Sequence, residues 1–216
     1  EGMTAGGIGP MIRGTLLLML GTFFIVLPVG ILAGVFLAEY AGRGRWVQVA
    51  KGLITSLAGT PSVIYGLFGL AFFVIWFKQL GITDGSSLLA GWLTLSLMAL
   101  PVIVLSTETA LRGVPDAHVD GALALGMTKW QTIWRVSLPY ALPGILTGIV
   151  TSVSRVAGEA PPILFTAGIF FTTEQFTWST DLIKKPVMNL PYHLTEGFRQ
   201  PGTFKEQQIW GTCLVL

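Results

Sequence analysis

The sequence predicts an all-α membrane protein whose helices cross the bilayer several times. Hydrophobic residues make up 52% of the chain and charged residues only 11%, and the mean hydropathy is +0.69. Soluble domains carry about 25% charged residues. The charges also leave four long gaps, at 14–38, 52–77, 85–107 and 136–154. Because a spanning helix needs about 20 apolar residues, the first three gaps predict clear spans and the fourth predicts one more.

The basic residues of the connecting segments predict which side of the membrane each segment faces. They cluster in two loops, 39–58 and 108–136, as Arg43, Arg45, Lys51, Arg112, Lys129 and Arg135. Positive residues favour the cytoplasmic side, so these two loops are expected inside the cell. The segments 1–13, 78–87 and 174–207 are then expected outside.

The second gap is predicted to contain a helix boundary. In "AGTPSVIYG", Thr60 is the expected N-cap and Pro61 the expected first helical residue. Residues 46–59 would then form a separate helix that leads to a span beginning near Thr60. The glycines of "GLFGLA" and "GILTGIV" are expected to let neighbouring helices pack closely.

Both ends of the chain are expected to be cut. The chain begins at Glu1 without an initiator methionine, and its last segment, "QIWGTCLVL", is too short to cross a membrane. We therefore expect a single transmembrane domain over 1–216 that contains the beginning of one further span.

Composition excludes several classes of function. The net charge of +2 is too small to indicate nucleic-acid binding, and one cysteine, Cys213, supports neither a disulfide nor a cysteine metal site. His118 and His193 lie far apart in sequence, and each is expected to be an ordinary surface side chain. No GxxxxGK[ST] loop is present, so ATP binding and a resident cofactor are not expected in this chain.

Two short helices are predicted in the loop 108–136. The segment 116–125 suits a helix that Gly126 ends, and Thr128 followed by Gln131 has the spacing of a capping box for a second helix. The second helix should place Trp130, Ile133 and Trp134 on roughly one side. From composition alone the pair could dock on a partner or lie in the lipid headgroups.

Arg155 and Glu159 are the two charges in the fourth apolar segment. Four residues apart, they could simply neutralise each other. Charges inside a membrane nevertheless mark substrate pathways by default, and a guanidinium matches the oxygens of a phosphate. With a helix start near Pro143, Arg155 would lie roughly 18 Å along the helix, about mid-depth. Pro161 and Pro162 should then break the helix, as happens where backbone lines a cavity.

The loop 108–136 and its continuation resemble the EAA signature of ABC importer permeases. That signature reads Glu-Ala-Ala, three residues, Gly, nine residues, Ile, any residue, Leu-Pro. The corresponding positions here are Asp120, Gly121, Ala122, Gly126, Val136, Leu138 and Pro139. The spacing fits throughout, while Asp replaces Glu, Gly replaces Ala and Val replaces Ile.

Three further stretches resemble the phosphate-specific members of that class, of the PstA type. They are "AGTPSVIYGLFGLAFFV", "SRVAGEAPPILFTAG" and "LPYHL". The resemblance implies the type I, MetI-like permease fold, with about five of six transmembrane helices present here. It also implies a multi-pass protein of a prokaryotic cell membrane that forms half of a phosphate translocation pathway.

The resemblance implies roles for named residues and partners. Arg155 and Glu159 would lie on the phosphate pathway, and a loop of about 112–136 would dock on a cytoplasmic ATPase dimer. The coupling residues would be Asp120, Gly121, Ala122, Gly126, Trp130, Leu138 and Pro139. A second, similar permease and an extracytoplasmic phosphate-binding protein complete the implied assembly, with the outer loop 174–207 facing the binding protein. The alternatives are a permease for sulfate or molybdate and, from another class, a secondary transporter or a membrane scaffold that transports nothing.

Overall fold

The computed structural model describes residues 7–42, 44–169, 180–199 and 206–216, and these residues are predominantly helical. Four of its helical segments are long and apolar enough to cross a membrane. They are Gly9–Tyr40, Ser62–Gln79, Leu88–Arg112 and Lys129–Gly158. These segments confirm the three clear spans and the fourth that the charge gaps predict.

Each spanning segment except the third is composite. The first comprises helix α1, Gly9–Val35, and a π-helical turn, Phe36–Tyr40. The second joins α3, Ser62–Gly69, to a π-helical stretch, Leu70–Trp76, and to α4, Phe77–Gln79, and the third is α5, Leu88–Arg112. The fourth joins α7, Lys129–Thr132, through a π-helical turn, Ile133–Ser137, to α8, Leu138–Gly158.

Shorter helices connect and follow the spans. They are α2, Arg45–Ala58; α6, Asp116–Ala124; α9, Pro161–Thr166; α10, Leu190–Arg199; and α11, Glu206–Val215, with a 3-10 turn at Thr180–Lys184. Helix α2 is the separate helix predicted before the second span. The predicted outer loop 174–207 falls partly on 174–179 and 200–205, which lie outside the described residues.

The chain divides into two compact units, and each is discontinuous in sequence. One unit contains Glu1–Ile25, Thr60–Met98 and Ser154–Leu216, and the other contains Val26–Gly59 and Ala99–Val153. In the second unit, buried apolar side chains from several segments form a common core. They are Val35, Leu111, Val114, Ile133, Ala141 and Ile145.

Close packing at glycines confirms the expectation for "GLFGLA" and "GILTGIV". A Cβ on Gly66 would lie 2.8 Å from the ring of Phe165, and one on Gly144 would lie 2.7 Å from the Cβ of Ala110. Such separations are shorter than van der Waals contact, so only glycine fits at these positions. Small residues therefore bring α3 against α9 and α8 against α5, as is usual for helices in membranes.

Four local expectations were wrong. The N-cap before α3 is Pro61 rather than Thr60, and it makes no side-chain cap. Helix α8 begins at Leu138, and Pro143 lies inside it. Ile133 does not share a side with the exposed tryptophans, because it is buried in the core just described. His193 is buried and not a surface residue.

Candidate substrate pathway and coupling surface

Arg155 lies in the last turn of α8, and Glu159 follows the end of that helix. The guanidinium Nε and the carboxylate Oε1 are 3.6 Å apart, and the two side chains are 32% and 16% exposed. The separation is longer than a normal hydrogen bond of about 2.7–3.2 Å. The two charges therefore form a loose ion pair, and the guanidinium stays partly accessible.

The helix break predicted at the two prolines is present. Helix α8 ends at Gly158, and α9 begins at Pro161 with prolines in its first two positions. A helix has no internal partner for its first backbone donors, so the missing N–H groups cost nothing there.

Tyr65, which the sequence analysis did not single out, belongs to the surroundings of Arg155. It lies on α3 and is only 7% exposed. Its phenol is hydrogen-bonded to the side chain of Thr60 and lies within range of the charge of Arg155. A buried phenol in an apolar segment needs a polar partner, so Tyr65 could have been singled out from the sequence. The sequence spacing does not show which residue that partner is.

An apolar depression lies beside α9, in the same unit as the ion pair. Its lining is formed by Val63, Ala160, Pro161, Leu164, Phe165, Tyr192 and Thr195. Neither Arg155 nor Glu159 is part of this lining. The aqueous passage expected beside Arg155 stays a prediction.

The second candidate site is the elbow, which we define as residues 116–139. Helix α6 ends at Ala124, and Gly126, two residues later, has a φ of +84° in the left-handed region. The amide of Met127 donates to the carbonyl of Ala122 at 3.2 Å, and that of Gly126 to Leu123 at 2.9 Å. This pair of bonds is a Schellman motif, which satisfies carbonyls at the helix end. The prediction that Gly126 ends the first helix is confirmed.

The capping box predicted for the second helix of the elbow is also present. The amide of Gln131 donates to Thr128 Oγ1 at 3.3 Å, and the amide of Thr128 donates to Gln131 Oε1 at 2.9 Å. These reciprocal bonds fix the start of α7 directly after the turn at Gly126.

The predicted coupling residues differ in accessibility. Asp120, Gly121, Gly126 and Pro139 are exposed, and Trp130 is 56% exposed. Ala122 is buried, and Leu138 is half-buried. The Trp130 and Trp134 rings contact each other edge to face on the exposed side. The elbow thus presents a carboxylate, two glycines and aromatic surface outward while Ala122 anchors it.

Lys129 connects the elbow to the end of the first span. Its Nζ donates to the backbone carbonyl of Glu39 and lies 4.8 Å from the ring centre of Tyr40. The ammonium therefore makes both a hydrogen bond and a cation–π contact with the π-helical turn. Lys129 therefore links the start of α7 to the end of the first spanning segment.

A cluster of charges around Glu108 was missed by the sequence analysis. The Glu108 side chain, 9% exposed, pairs with Lys51 of α2 and accepts from Arg112 Nε at 2.8 Å. The signal was present, since Glu108 follows an apolar gap and precedes Arg112 by one helical turn. The pairing with Lys51, 57 positions away, had no signal in the sequence.

Within the described residues, no group of three or more His, Cys, Asp or Glu side chains could hold a metal ion.

His118 is exposed as predicted, and its ring lies 5.2 Å from that of Tyr140.

Residues 30–188 match the family described as "Binding-protein-dependent transport system inner membrane component". The chain belongs to this family. It is an integral membrane protein of a transporter permease family. Membership in this family also implies that the protein functions together with an ATP-binding subunit and a substrate-binding protein.

Curated relatives confirm the resemblance to PstA-type permeases. The phosphate transport system permease protein PstA of Yersinia pestis is 36% identical over 98% of this chain and 68% of its own length. The corresponding protein of Mycobacterium leprae is 35% identical over 98% of this chain and 66% of its length. The chain thus spans about two thirds of the length of these relatives.

Solved structures support the predicted MetI-like fold. A chain of the MetNI methionine ABC transporter, in an inward-facing conformation, superimposes with a TM-score of 0.64 at 20% identity. The superposition covers 95% of this chain and 87% of that one. At this identity the likeness shows the fold alone.

Proposed function

We propose that this protein is the transmembrane permease subunit of an ATP-driven importer of inorganic phosphate. It forms half of the translocation pathway and resides in the inner or plasma membrane of a prokaryote. The ion pair of Arg155 and Glu159 at the break between α8 and α9 is the observation that carries the proposal. Similarity to PstA permeases supports phosphate as the substrate.

The chemistry of the pair suits a passing oxyanion. A guanidinium offers paired planar donors that match phosphate oxygens. At 3.6 Å, Glu159 neutralises Arg155 without holding it in a tight hydrogen bond. Phosphate can therefore compete for the guanidinium, and the carboxylate can reclaim it afterwards. Such weak binding suits conduction, which requires that the substrate also leave.

Energy reaches the pathway through the elbow. Its exposed residues dock on a cytoplasmic ATPase dimer, where ATP hydrolysis takes place. The exposure of Asp120, Gly126 and Trp130 supports this role, since a docking surface must be accessible. A second permease subunit completes the channel, and an extracytoplasmic phosphate-binding protein delivers the substrate to the outer loop, about 174–207.

The proposal is tested by phosphate uptake in cells that carry Arg155→Gln or Arg155→Lys, with membrane insertion and complex assembly measured separately. We expect uptake to be lost in the Gln variant and strongly reduced in the Lys variant, because a point charge does not reproduce the planar donors. Lys78→Gln, which removes an exposed cation at the end of the second spanning segment, is the matched control. Wild-type uptake in Arg155→Gln would remove Arg155 from the pathway.

The substrate itself is tested by an ATPase assay with phosphate, sulfate and molybdate, each with its binding protein. We expect stimulation by phosphate alone. Stimulation by sulfate or molybdate without phosphate would assign the permease to another oxyanion.

A further inference from the structure

Helix α2, Arg45–Ala58, contains no buried residue although it lies in a chain rich in apolar side chains. Four large apolar residues on it are strongly exposed: Trp46 at 86%, Val49 at 54%, Leu53 at 62% and Leu57 at 47%. Their spacing of three and four residues puts them on one side of the helix. An apolar stripe this exposed indicates an apolar partner.

The helix has three sectors. At about 100° per residue, the exposed apolar stripe is centred roughly 110° from the side that contacts the protein. The half-buried residues of that protein-facing side are Val47, Ala50, Lys51, Ile54 and Ala58. The remaining sector is polar and exposed, and it carries Arg45, Gln48, Thr55 and Ser56.

Lys51 sets the rotation of α2 about its own axis. Its ion pair with Glu108 of α5 turns the half-buried sector toward the protein. The apolar and polar sectors must then face two different outer environments. A helix in water would leave the apolar stripe uncovered, and at 14 residues α2 is too short to span the membrane.

We propose that α2 lies in the plane of the membrane surface and buries its apolar stripe in the lipid. The position of α2 in the chain supports lipid as the partner of the stripe. The helix follows the end of one spanning segment at Tyr40 and precedes the next at Ser62. Trp46 at the start of the helix is the residue type enriched at membrane interfaces. Arg45, and Arg43 in the sequence before it, complement anionic headgroups.

In this arrangement the polar sector faces water, and the apolar stripe enters about 5–10 Å into the boundary between headgroups and acyl chains. The ion pair of Lys51 with Glu108 then joins this surface helix to the third spanning helix. The lipid-facing helix therefore fixes the depth at which the Glu108 cluster sits.

The test uses nitroxide labels on the complete transporter, reconstituted in vesicles that contain anionic phospholipid. Single cysteines replace Leu53 or Leu57 on the apolar stripe and Gln48 or Ser56 on the polar sector, with Cys213→Ser removing the native thiol. Collision rates with oxygen, which concentrates in lipid, and with a water-soluble nickel chelate are measured. We expect oxygen to dominate severalfold at positions 53 and 57 and the nickel chelate to dominate at 48 and 56.

Two results would overturn the proposal. Low collision rates with both reagents and an immobilised spectrum at 53 and 57 would show that a protein partner covers the stripe. A high rate with the nickel chelate at these positions would place the stripe in water. If Leu53→Cys prevents assembly, a label at Val49→Cys reports the environment of the same stripe.

Discussion

Lys51 of α2 and Glu108 of α5 form an ion pair across 57 positions of sequence. The same carboxylate accepts from Arg112 Nε at 2.8 Å, and Arg112 Nη2 donates to the carbonyl of Leu37 at 3.1 Å. One buried carboxylate thus joins α2, α5 and the π-helical turn that ends the first span. All of these residues belong to the same compact unit.

Glu108→Gln should destabilise the protein by about 1–3 kcal/mol, because the amide removes the negative charge and leaves Lys51 with an incomplete partner. The measurement is the thermal unfolding midpoint of the detergent-solubilised transporter. Asp84→Asn removes an exposed carboxylate in the loop before α5 and serves as the control. Replacing the pair, with Lys51→Met and Glu108→Leu together, should recover much of the loss. Equal midpoints for Glu108→Gln and wild type would show that the cluster is not structural.

Gly126→Val should uncouple ATP hydrolysis from transport while the protein still inserts in the membrane. At a φ of +84° a β-branched residue is strongly disfavoured, so the turn between α6 and α7 must rearrange. The penalty for an ordinary residue there is about 1–2 kcal/mol, and Asn should be tolerated better than Val. The measurement is the ratio of transported phosphate to hydrolysed ATP.

Gly121→Ala is the matched control for that experiment. It lies in α6, and a Cβ there would contact nothing within 4 Å. The EAA signature has Ala at this position, so the substitution should stabilise the helix by about 0.5–1 kcal/mol and leave coupling intact. Normal coupling in Gly126→Val would argue against the docking role of the elbow.

Gly144→Ala should destabilise the contact between α8 and α5, because its Cβ would lie 2.7 Å from the Cβ of Ala110. Overpacking of this kind costs about 1–3 kcal/mol. Ala110→Gly should suppress the effect, and a double-mutant cycle of unfolding midpoints measures the coupling. Gly52→Ala on α2, with open space around its Cβ, is the control. Additive effects at 110 and 144 would contradict the close packing.

His193 should make stability fall as the pH is lowered. It lies on α10, outside the spanning segments, and its Nδ1 is 3.1 Å from Thr212 Oγ1. Burial lowers the pKa of His193 from the ordinary 6.5. Below pH 6.5 the unfolded chain therefore binds a proton that the folded chain does not, and stability decreases until the pH reaches the lower folded pKa.

The check compares unfolding midpoints between pH 8 and pH 5. His193→Gln should lose less stability than wild type over the acidic half of that range, since it cannot take up the proton. His118→Gln, at an exposed position, controls for removal of an imidazole. The same slope in wild type and His193→Gln would mean that another group controls the acid response.

Local chemistry explains which predictions succeeded. The spans follow from charge gaps, because charged side chains are costly in hydrocarbon and about 20 residues with few charges are needed to cross it. The turn at Gly126 and the capping box at Thr128 depend on backbone groups within a few residues, so both could be predicted. The break before Pro161 could also be predicted, since proline disrupts a helix wherever it occurs in the interior.

Errors and omissions arose where the deciding partner is distant in sequence. His193 is buried because α10 and α11 pack together, and neither helix indicates this by itself. Ile133 turns away from Trp130 and Trp134 because a core from other helices receives it. Glu108 pairs with Lys51, and Tyr65 comes within range of the charge of Arg155, only through the packing of separate helices.

Local sequence is enough to show that this chain enters a membrane, where its apolar segments lie and where its elbow turns, since solvation and capping act over one helix or less. The pairing of Lys51 with Glu108, the position of Tyr65 near Arg155 and the exposed apolar side of α2 become visible only in the folded chain. The physical reason is that helix packing depends on complementary surfaces from distant segments, and each of those surfaces is compatible with many partners until the chain is folded.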